Sequence, residues 1–98
     1  MDEQQLKSIV ELCKQMGISY LGLFGSYSRN EEKTNREFDL LVEYSPDTKI
    51  KSLFDVEDLE NKFESIFNTK IDLVSKKYLN PLIKDLVYAD LRVIYEEN

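Results

Sequence analysis

The sequence predicts a small α/β domain in which one mixed sheet of about four strands has helices packed on it. Two observations support this prediction. Segments with helical apolar spacing and short strand-like runs follow one another in the order helix, strand, strand, helix, strand, helix, strand, with no internal repeat. A chain of 98 residues is also long enough to bury one core but not two. We therefore expect a single domain over residues 1–98.

The first half of the chain predicts one helix followed by two strands. Gly17 stands where a helix-ending glycine belongs, after an apolar stripe at helical spacing made of Leu6, Ile9, Val10, Cys13 and Met16. ISYLGLF, residues 18–24, and EFDLLVEY, residues 37–44, have strand composition, and the polar segment SYSRNEEKTN joins them. Three apolar residues in a row, Leu40 to Val42, predict a second strand that is covered on both faces.

The second half predicts helix, strand, helix and strand. DVEDLENKFESIFN, residues 55–68, combines an apolar stripe at helical spacing with acids in its first turn, where the helix dipole favours them. KIDLVS, residues 70–75, is typical of a short strand. LNPLIKDLVYA, residues 79–89, repeats helical spacing with Pro81 tolerated in the first turn, and LRVIYEE predicts the last strand.

Composition excludes several classes of function. Nineteen acidic and 13 basic residues give a net charge of -6, and the scattered bases argue against direct nucleic-acid binding, although a nucleotide carrying its own Mg²⁺ remains compatible. With no histidine and one cysteine, the chain has neither Ser-His-Asp nor Cys-His catalysis, nor an internal disulfide. MDEQQLK lacks a signal-peptide pattern and no apolar run is long enough for a membrane span, so we expect a cytoplasmic protein.

Two acids stand one residue apart at the start of the second strand. Because side chains alternate along a strand, Glu37 and Asp39 lie on one face, about 7 Å apart. A third acid, Asp72, lies inside KIDLVS and joins that face if the two strands are neighbours. Three crowded carboxylates repel one another unless a cation compensates, and Mg²⁺ is the natural one. Two such ions would serve phosphoryl or nucleotidyl transfer.

The turn after the first strand has features suited to phosphate binding. Gly25 allows the backbone to approach a phosphate closely, Ser26 offers a hydroxyl, and Arg29 can place a guanidinium against the same oxygens. We therefore expect these three residues to be able to contact phosphate oxygens.

Each of these features also has an ordinary explanation. A Gly-Ser pair is a common turn, and an isolated arginine is usually a surface base. Glu37 and Asp39 would also suit the start of an edge strand, and Asp72 would suit an ion pair with Lys70 or Lys76. A single metal-nucleotide site accounts for all the features together, whereas the ordinary explanations are independent of one another.

Three motifs in this order resemble a known family. GSYSRN, then EFDLLVEY about ten residues after the Gly-Ser pair, then KIDLV, resemble the minimal nucleotidyltransferases (MNT proteins) of the DNA polymerase beta superfamily. Gly25 and Ser26 match the family's Gly-Ser element, and Arg29 falls where an arginine is common. Asp39 matches the second acid of an Asp-x-Asp pair, and Asp72 matches the third aspartate. The resemblance spans nearly the whole chain.

The resemblance implies a polymerase beta-like nucleotidyltransferase fold and Mg²⁺-dependent transfer of AMP from ATP to a hydroxyl. Glu37, Asp39 and Asp72 would hold the metal ions, and Asp72 would also help to activate the acceptor. Family members are typically antitoxins paired with HEPN-domain toxins, and they adenylylate a tyrosine of the toxin. A HEPN toxin is therefore the expected partner, in a hetero-oligomer.

Two other functions stay open at this stage. Glu37 stands where the family has its first metal-binding aspartate, and Arg36 where a serine is usual. This departure is compatible with a degenerate domain that neutralises the toxin by binding alone. Transfer to a small molecule such as an aminoglycoside is less favoured, because the chain lacks the extra domain that shapes such a pocket. Six tyrosines offer candidates for a partner surface, which the sequence does not locate.

Overall fold

The computed structural model describes residues 2–24 and 37–97, which fold into helices on a four-stranded sheet. The predicted class and the predicted order of elements are confirmed. In chain order the elements are α1 (Glu3–Met16), β1 (Ile18–Phe24), β2 (Glu37–Tyr44), α2 (Leu53–Phe67), β3 (Lys70–Ser75), a single 3-10 turn (Lys76–Tyr78), α3 (Lys84–Ala89) and β4 (Arg92–Glu96). None of the helices in these ranges is long and apolar enough to cross a membrane.

Helix α1 has well-defined signals at both ends. Its N-cap Asp2 accepts a hydrogen bond from the Gln5 backbone N–H at 2.8 Å, and the Gln5 side chain accepts from the Asp2 N–H at 3.2 Å. This reciprocal pair satisfies two amides that the first turn leaves unbonded. Gly17 ends the helix at a φ of 76°, a left-handed conformation that favours glycine, and its N–H donates to the Cys13 carbonyl. The predicted end of the first helix is confirmed.

The sheet has the strand order β3-β2-β1-β4. Strand β1 pairs antiparallel with β2 on one side and with β4 on the other, whereas β2 and β3 are parallel. A parallel pair needs a crossover connection, and α2 provides it. The β2–α2–β3 unit therefore brings two acid-containing strands side by side.

Helices α1 and α2 cover one face of the sheet, which we call the helix face. Leu40, Leu59 and Phe63 are completely buried there, and Phe38 meets Phe67 edge-on at 5.4 Å between ring centroids. Cys13 is also buried in this core, and burial raises the pKa of its thiol to about 12. The core beneath α1 and α2 is apolar and closely packed, as expected where most of the stability arises.

Strand β3 lies at one edge of the sheet, where backbone amides would be left without strand partners. Two carboxylates of α2 cover this edge: Glu64 accepts from the Ile71 N–H and Glu60 from the Leu73 N–H, both at 3.2 Å. These bonds occupy donors that a foreign strand would otherwise pair with.

The third helix is shorter than the sequence predicts. The apolar spacing predicts a helix over residues 79–89, but α3 begins at Lys84. The Asn80 side chain accepts from the Leu82 N–H at 2.9 Å, and this local bond, next to Pro81, which lacks an N–H, favours a turn over a helix. Leu82 is 88% exposed, so its place in the apolar stripe does not reflect burial.

Candidate active site

Asp39 and Asp72 are register partners in the parallel pair formed by β2 and β3. Adjacent strands lie about 4.8 Å apart, and partners in register point to the same face of a sheet. The sequence-based expectation that Asp72 joins the acids of the second strand is therefore confirmed for Asp39. Their shared face is the one opposite α1 and α2, which we call the cavity face.

Among the charged residues of the described ranges, Asp39 is the buried one, with 8% of its surface exposed. Its partner Asp72 is exposed. Burial of a carboxylate opposes folding unless hydrogen bonds or a cation compensate, and an apolar residue at this position would extend the core instead. Asp39 therefore brings a carboxylate, and no apolar side chain, to this position of the central sheet.

A cavity of about 270 Å³ opens on the cavity face beside the two aspartates. Its lining is mostly apolar and includes three aspartates. The strands contribute Phe24, Asp39, Asp72 and Val74, and the segment from the 3-10 turn to the end of α3 contributes Leu79, Ile83, Leu86, Val87 and Asp90. The site is thus a pocket that combines carboxylates with an apolar wall formed by Leu79, Ile83, Leu86 and Val87.

The apolar wall and Asp90 were missed by the sequence reasoning. Asp90 directly follows α3, outside any motif, and its proximity to Asp39 and Asp72 depends on how α3 returns over the sheet. The spacing of Ile83 and Leu86 was interpreted as the apolar stripe of a helix, and their position in the wall of a cavity was not predicted. No signal in the sequence separates these two residues from the other apolar residues of the segment, such as Leu79, Leu82 and Val87.

The remaining predicted site residues are placed only in part. The backbone of Glu37 begins β2 two residues before Asp39, and its side chain lies outside the described part of the molecule. Gly25, Ser26 and Arg29 also lie outside the described residues. Strand β1 ends at Phe24, which is the register partner of Asp39 and lines the cavity.

The pair of aspartates fits a magnesium ion. Mg²⁺ binds hard oxygen ligands, and in nucleotide enzymes one or two carboxylates commonly hold it together with substrate phosphates. Within residues 2–24 and 37–97 there is no group of three or more Asp, Glu, Cys or His side chains placed to hold a metal. Asp39 and Asp72 provide the two carboxylates that such an arrangement uses.

Comparison with known proteins gives matches over nearly the whole chain. The model of a family described as polymerase beta nucleotidyltransferase matches residues 4–98. A relative from Methanocaldococcus jannaschii is 31% identical over 81 residues, which are 83% of this chain and 84% of the relative. The protein adenylyltransferase MntA of Thermococcus cleftensis is 32% identical over 84 residues, 81% of this chain and 82% of that protein.

Solved structures show the same fold. A crystal structure of a toxin-antitoxin with AMP-PNP matches with a TM-score of 0.68 at 19% identity, over 95% of this chain and 74% of that one. The Shewanella oneidensis complex of a tri-AMPylated HEPN toxin with its MNT antitoxin matches with a TM-score of 0.68 at 18% identity, over 98% and 73%. At such identities the likeness establishes the fold alone.

Proposed function

Because the chain belongs to the polymerase beta nucleotidyltransferase family, we propose that it transfers AMP from ATP to a hydroxyl, such as a tyrosine, of a HEPN toxin and so acts as the antitoxin. The observation that carries this proposal is the register pairing of Asp39 with Asp72 at the rim of a cavity. The name of the Thermococcus cleftensis relative supports protein adenylylation, and the toxin-antitoxin structures support the partner.

Metal binding is assigned to the acids of the cavity face. Asp39 and Asp72, with Glu37 at the head of β2, would hold one or two Mg²⁺ ions. When bound, Mg²⁺ offsets the negative charge of the triphosphate and of the pyrophosphate that leaves.

The chain's own residues position the reactants and take up the proton. Gly25, Ser26 and Arg29 hold the phosphates in this proposal, so that the α-phosphorus faces the acceptor. The acceptor oxygen forms a bond to that phosphorus while the bond to the pyrophosphate oxygen breaks. The Asp72 carboxylate accepts the proton of the acceptor hydroxyl, which its exposure at the cavity permits. The apolar wall limits access of water, which would otherwise compete as an acceptor.

A second candidate function rests on position 37. Glutamate keeps the charge of the usual aspartate but is longer by one methylene, and Mg²⁺ tolerates little deviation in the placement of its ligands. The arginine that precedes it, Arg36, offers this carboxylate an alternative partner. In this second function the chain neutralises the toxin by binding alone, without transferring a nucleotide.

The decisive experiment is mass spectrometry of the toxin after incubation with Mg-ATP and either the native chain or the Asp39→Asn variant. We expect a mass increase of one AMP per modified hydroxyl, and a rate about a thousandfold lower with the variant, because a metal ligand supplies several kcal/mol to such reactions. Asp47→Asn, in the exposed loop after β2, is the matched control and should retain full activity. Inhibition of the toxin without any mass increase would establish the second function instead.

A further inference from the structure

A second groove, of about 850 Å³, lies at the opposite end of the same two strands. It is bounded by the ends of β2 and β3, the first turns of α2, the 3-10 turn and α3. Tyr44 at this end of β2 is five residues beyond Asp39, which corresponds to roughly 16 Å along a strand. The groove and the cavity share no lining residue, although they adjoin along β3, where Leu73 and Ser75 of the groove flank Val74 of the cavity.

The charge of this groove is opposite to that of the whole chain. Its charged lining residues are three lysines, Lys76, Lys77 and Lys84, and one acid, Glu43, so the groove carries a charge of +2 in a protein whose net charge is -6. Lys76 is held within the fold, 3.9 Å from the centre of the Tyr20 ring and 3.8 Å from the Glu43 carboxylate. Lys77 and Lys84 are exposed and are the cations that a ligand in the groove would meet.

Exposed apolar and aromatic side chains accompany these cations. Leu53 at the start of α2 is 85% exposed and Tyr78 is 78% exposed, and both line the groove. The Lys77 ammonium lies 5.6 Å from the centre of the Tyr78 ring. Protein interaction surfaces characteristically expose large apolar side chains to water and include aromatic rings.

We infer that this groove docks an acidic segment of a protein partner, with an apolar side chain of that segment on Leu53 and Tyr78 and its carboxylates against Lys77 and Lys84. Charge complementarity favours this occupant, because a net positive groove on an acidic protein attracts a short acidic segment. A long polyanion such as RNA would also be repelled by the negative charge of the rest of the chain. The partner in this inference is the HEPN toxin, so the inference rests on the proposed function.

Because the groove and the cavity have different lining residues, we expect binding of the partner and transfer of the nucleotide to depend on different side chains. The groove increases the rate at which the partner associates and leaves the reaction at the cavity unchanged. Loss of the two exposed cations should therefore raise KM for the toxin while kcat and the affinity for Mg-ATP stay as they are.

The test uses the double variant Lys77→Glu/Lys84→Glu and measures toxin association by stopped flow or surface plasmon resonance over a range of salt. We expect an association rate about tenfold lower at low ionic strength, with the difference from the native chain shrinking towards about 0.5 M salt as the charges are screened. Lys7→Glu/Lys49→Glu changes the net charge equally at exposed positions outside the groove, and should associate at nearly the native rate. A single-stranded RNA oligonucleotide is the competing probe.

The outcomes separate this inference from the proposed function. Unchanged toxin binding by the groove variant, or RNA binding that the groove variant loses, overturns the inference and leaves AMP transfer as a separate question. Groove-dependent toxin binding without AMP transfer supports the inference and contradicts the enzymatic function. A native chain that does not bind the toxin contradicts both.

Discussion

The two faces of the sheet differ in composition, although strand β2 contributes adjacent residues to both. Leu40 points to the helix face and is completely buried beneath α1 and α2, whereas Asp39 points to the cavity face beside Asp72. Part of the cavity face is closed by a small cluster that includes Leu41 and Val87, and the rest is the cavity. One face provides most of the stability, and the other leaves carboxylates accessible to a ligand.

Asp39 lies on the inner strand β2 and Asp72 on the edge strand β3. The apolar core beneath α1 and α2 lies on the other face and contains neither aspartate. Substitutions on the helix face should therefore change stability, and substitutions on the cavity face should change binding and transfer.

The largest expected effect on stability comes from a matched pair of leucines. Leu40→Ala should lower the free energy of unfolding by about 3 kcal/mol, because it leaves a void in a fully buried core. Leu86 lines the cavity and is 60% exposed, so Leu86→Ala should lower the free energy of unfolding by less than about 1 kcal/mol. Urea unfolding of both variants measures the difference. Equal losses would show that the faces do not differ in this way.

Gly17→Ala should be the next most destabilising, by about 2 kcal/mol, because alanine is strained at a positive φ. A Cβ at this position would also lie 2.5 Å from the Cα of Thr48, so the loop after β2 would have to move away. Thermal unfolding checks the prediction. A stability equal to that of the native chain would contradict the left-handed conformation of Gly17 and its close approach to Thr48.

Glu64→Ala should cost about 1 kcal/mol, because it removes the acceptor of the Ile71 N–H at the edge of β3. The exposed edge should also make the variant more prone to aggregate. Glu64→Gln keeps a carbonyl acceptor and should stay closer to the native chain in urea unfolding and light scattering. Similar behaviour of the two variants would argue against a role for this hydrogen bond.

The smallest expected effect near neutral pH is a pH dependence of the free energy of unfolding that arises from Cys13. Its pKa rises from an ordinary 9.0 to about 12 in the folded protein, so between these values the unfolded chain loses a proton that the folded chain keeps. Stability is therefore unaffected below about pH 9 and falls as pH rises towards 12, by at most about 1.4 kcal/mol per pH unit from this group.

The control for this pH effect is Cys13→Val, which removes the thiol and leaves the tyrosines in place. Burial also raises the pKa of Tyr44, so some alkaline loss of stability should persist in the variant. Urea unfolding at pH 8, 9 and 10 should give a shallower decline for Cys13→Val than for the native chain. Parallel declines would show that the thiol does not contribute.

Much of the fold could be predicted because its signals are local. The apolar stripe of α1, the glycine that ends it and the strand-like runs at β1 and β2 depend on neighbours in sequence, and the structure confirms them. The beginning of α3 was wrong because the turn formed by Asn80 and Pro81 overrides the apolar spacing. The spacing alone does not show which of two competing local bonding patterns is more stable.

The site was predictable where strand alternation and topology act together. The pairing of Asp39 with Asp72 followed once β2 and β3 were neighbours, whereas Asp90 and the groove lysines are brought into place by contacts distant in sequence. The roles assigned to all six residues, Asp39, Asp72, Glu37, Gly25, Ser26 and Arg29, stay predictions. The walls of the cavity were not predicted, since they depend on how separate elements pack.

The most direct test of the central claim is a calorimetric titration of Mg-ATP into the native chain and into Asp39→Asn, with Asp47→Asn as the control. If the cavity face holds a nucleotide through its paired carboxylates, the native chain and the control should bind Mg-ATP and the Asp39→Asn variant should not. Binding of equal strength by all three proteins, or no binding by the native chain at millimolar nucleotide, would contradict that account.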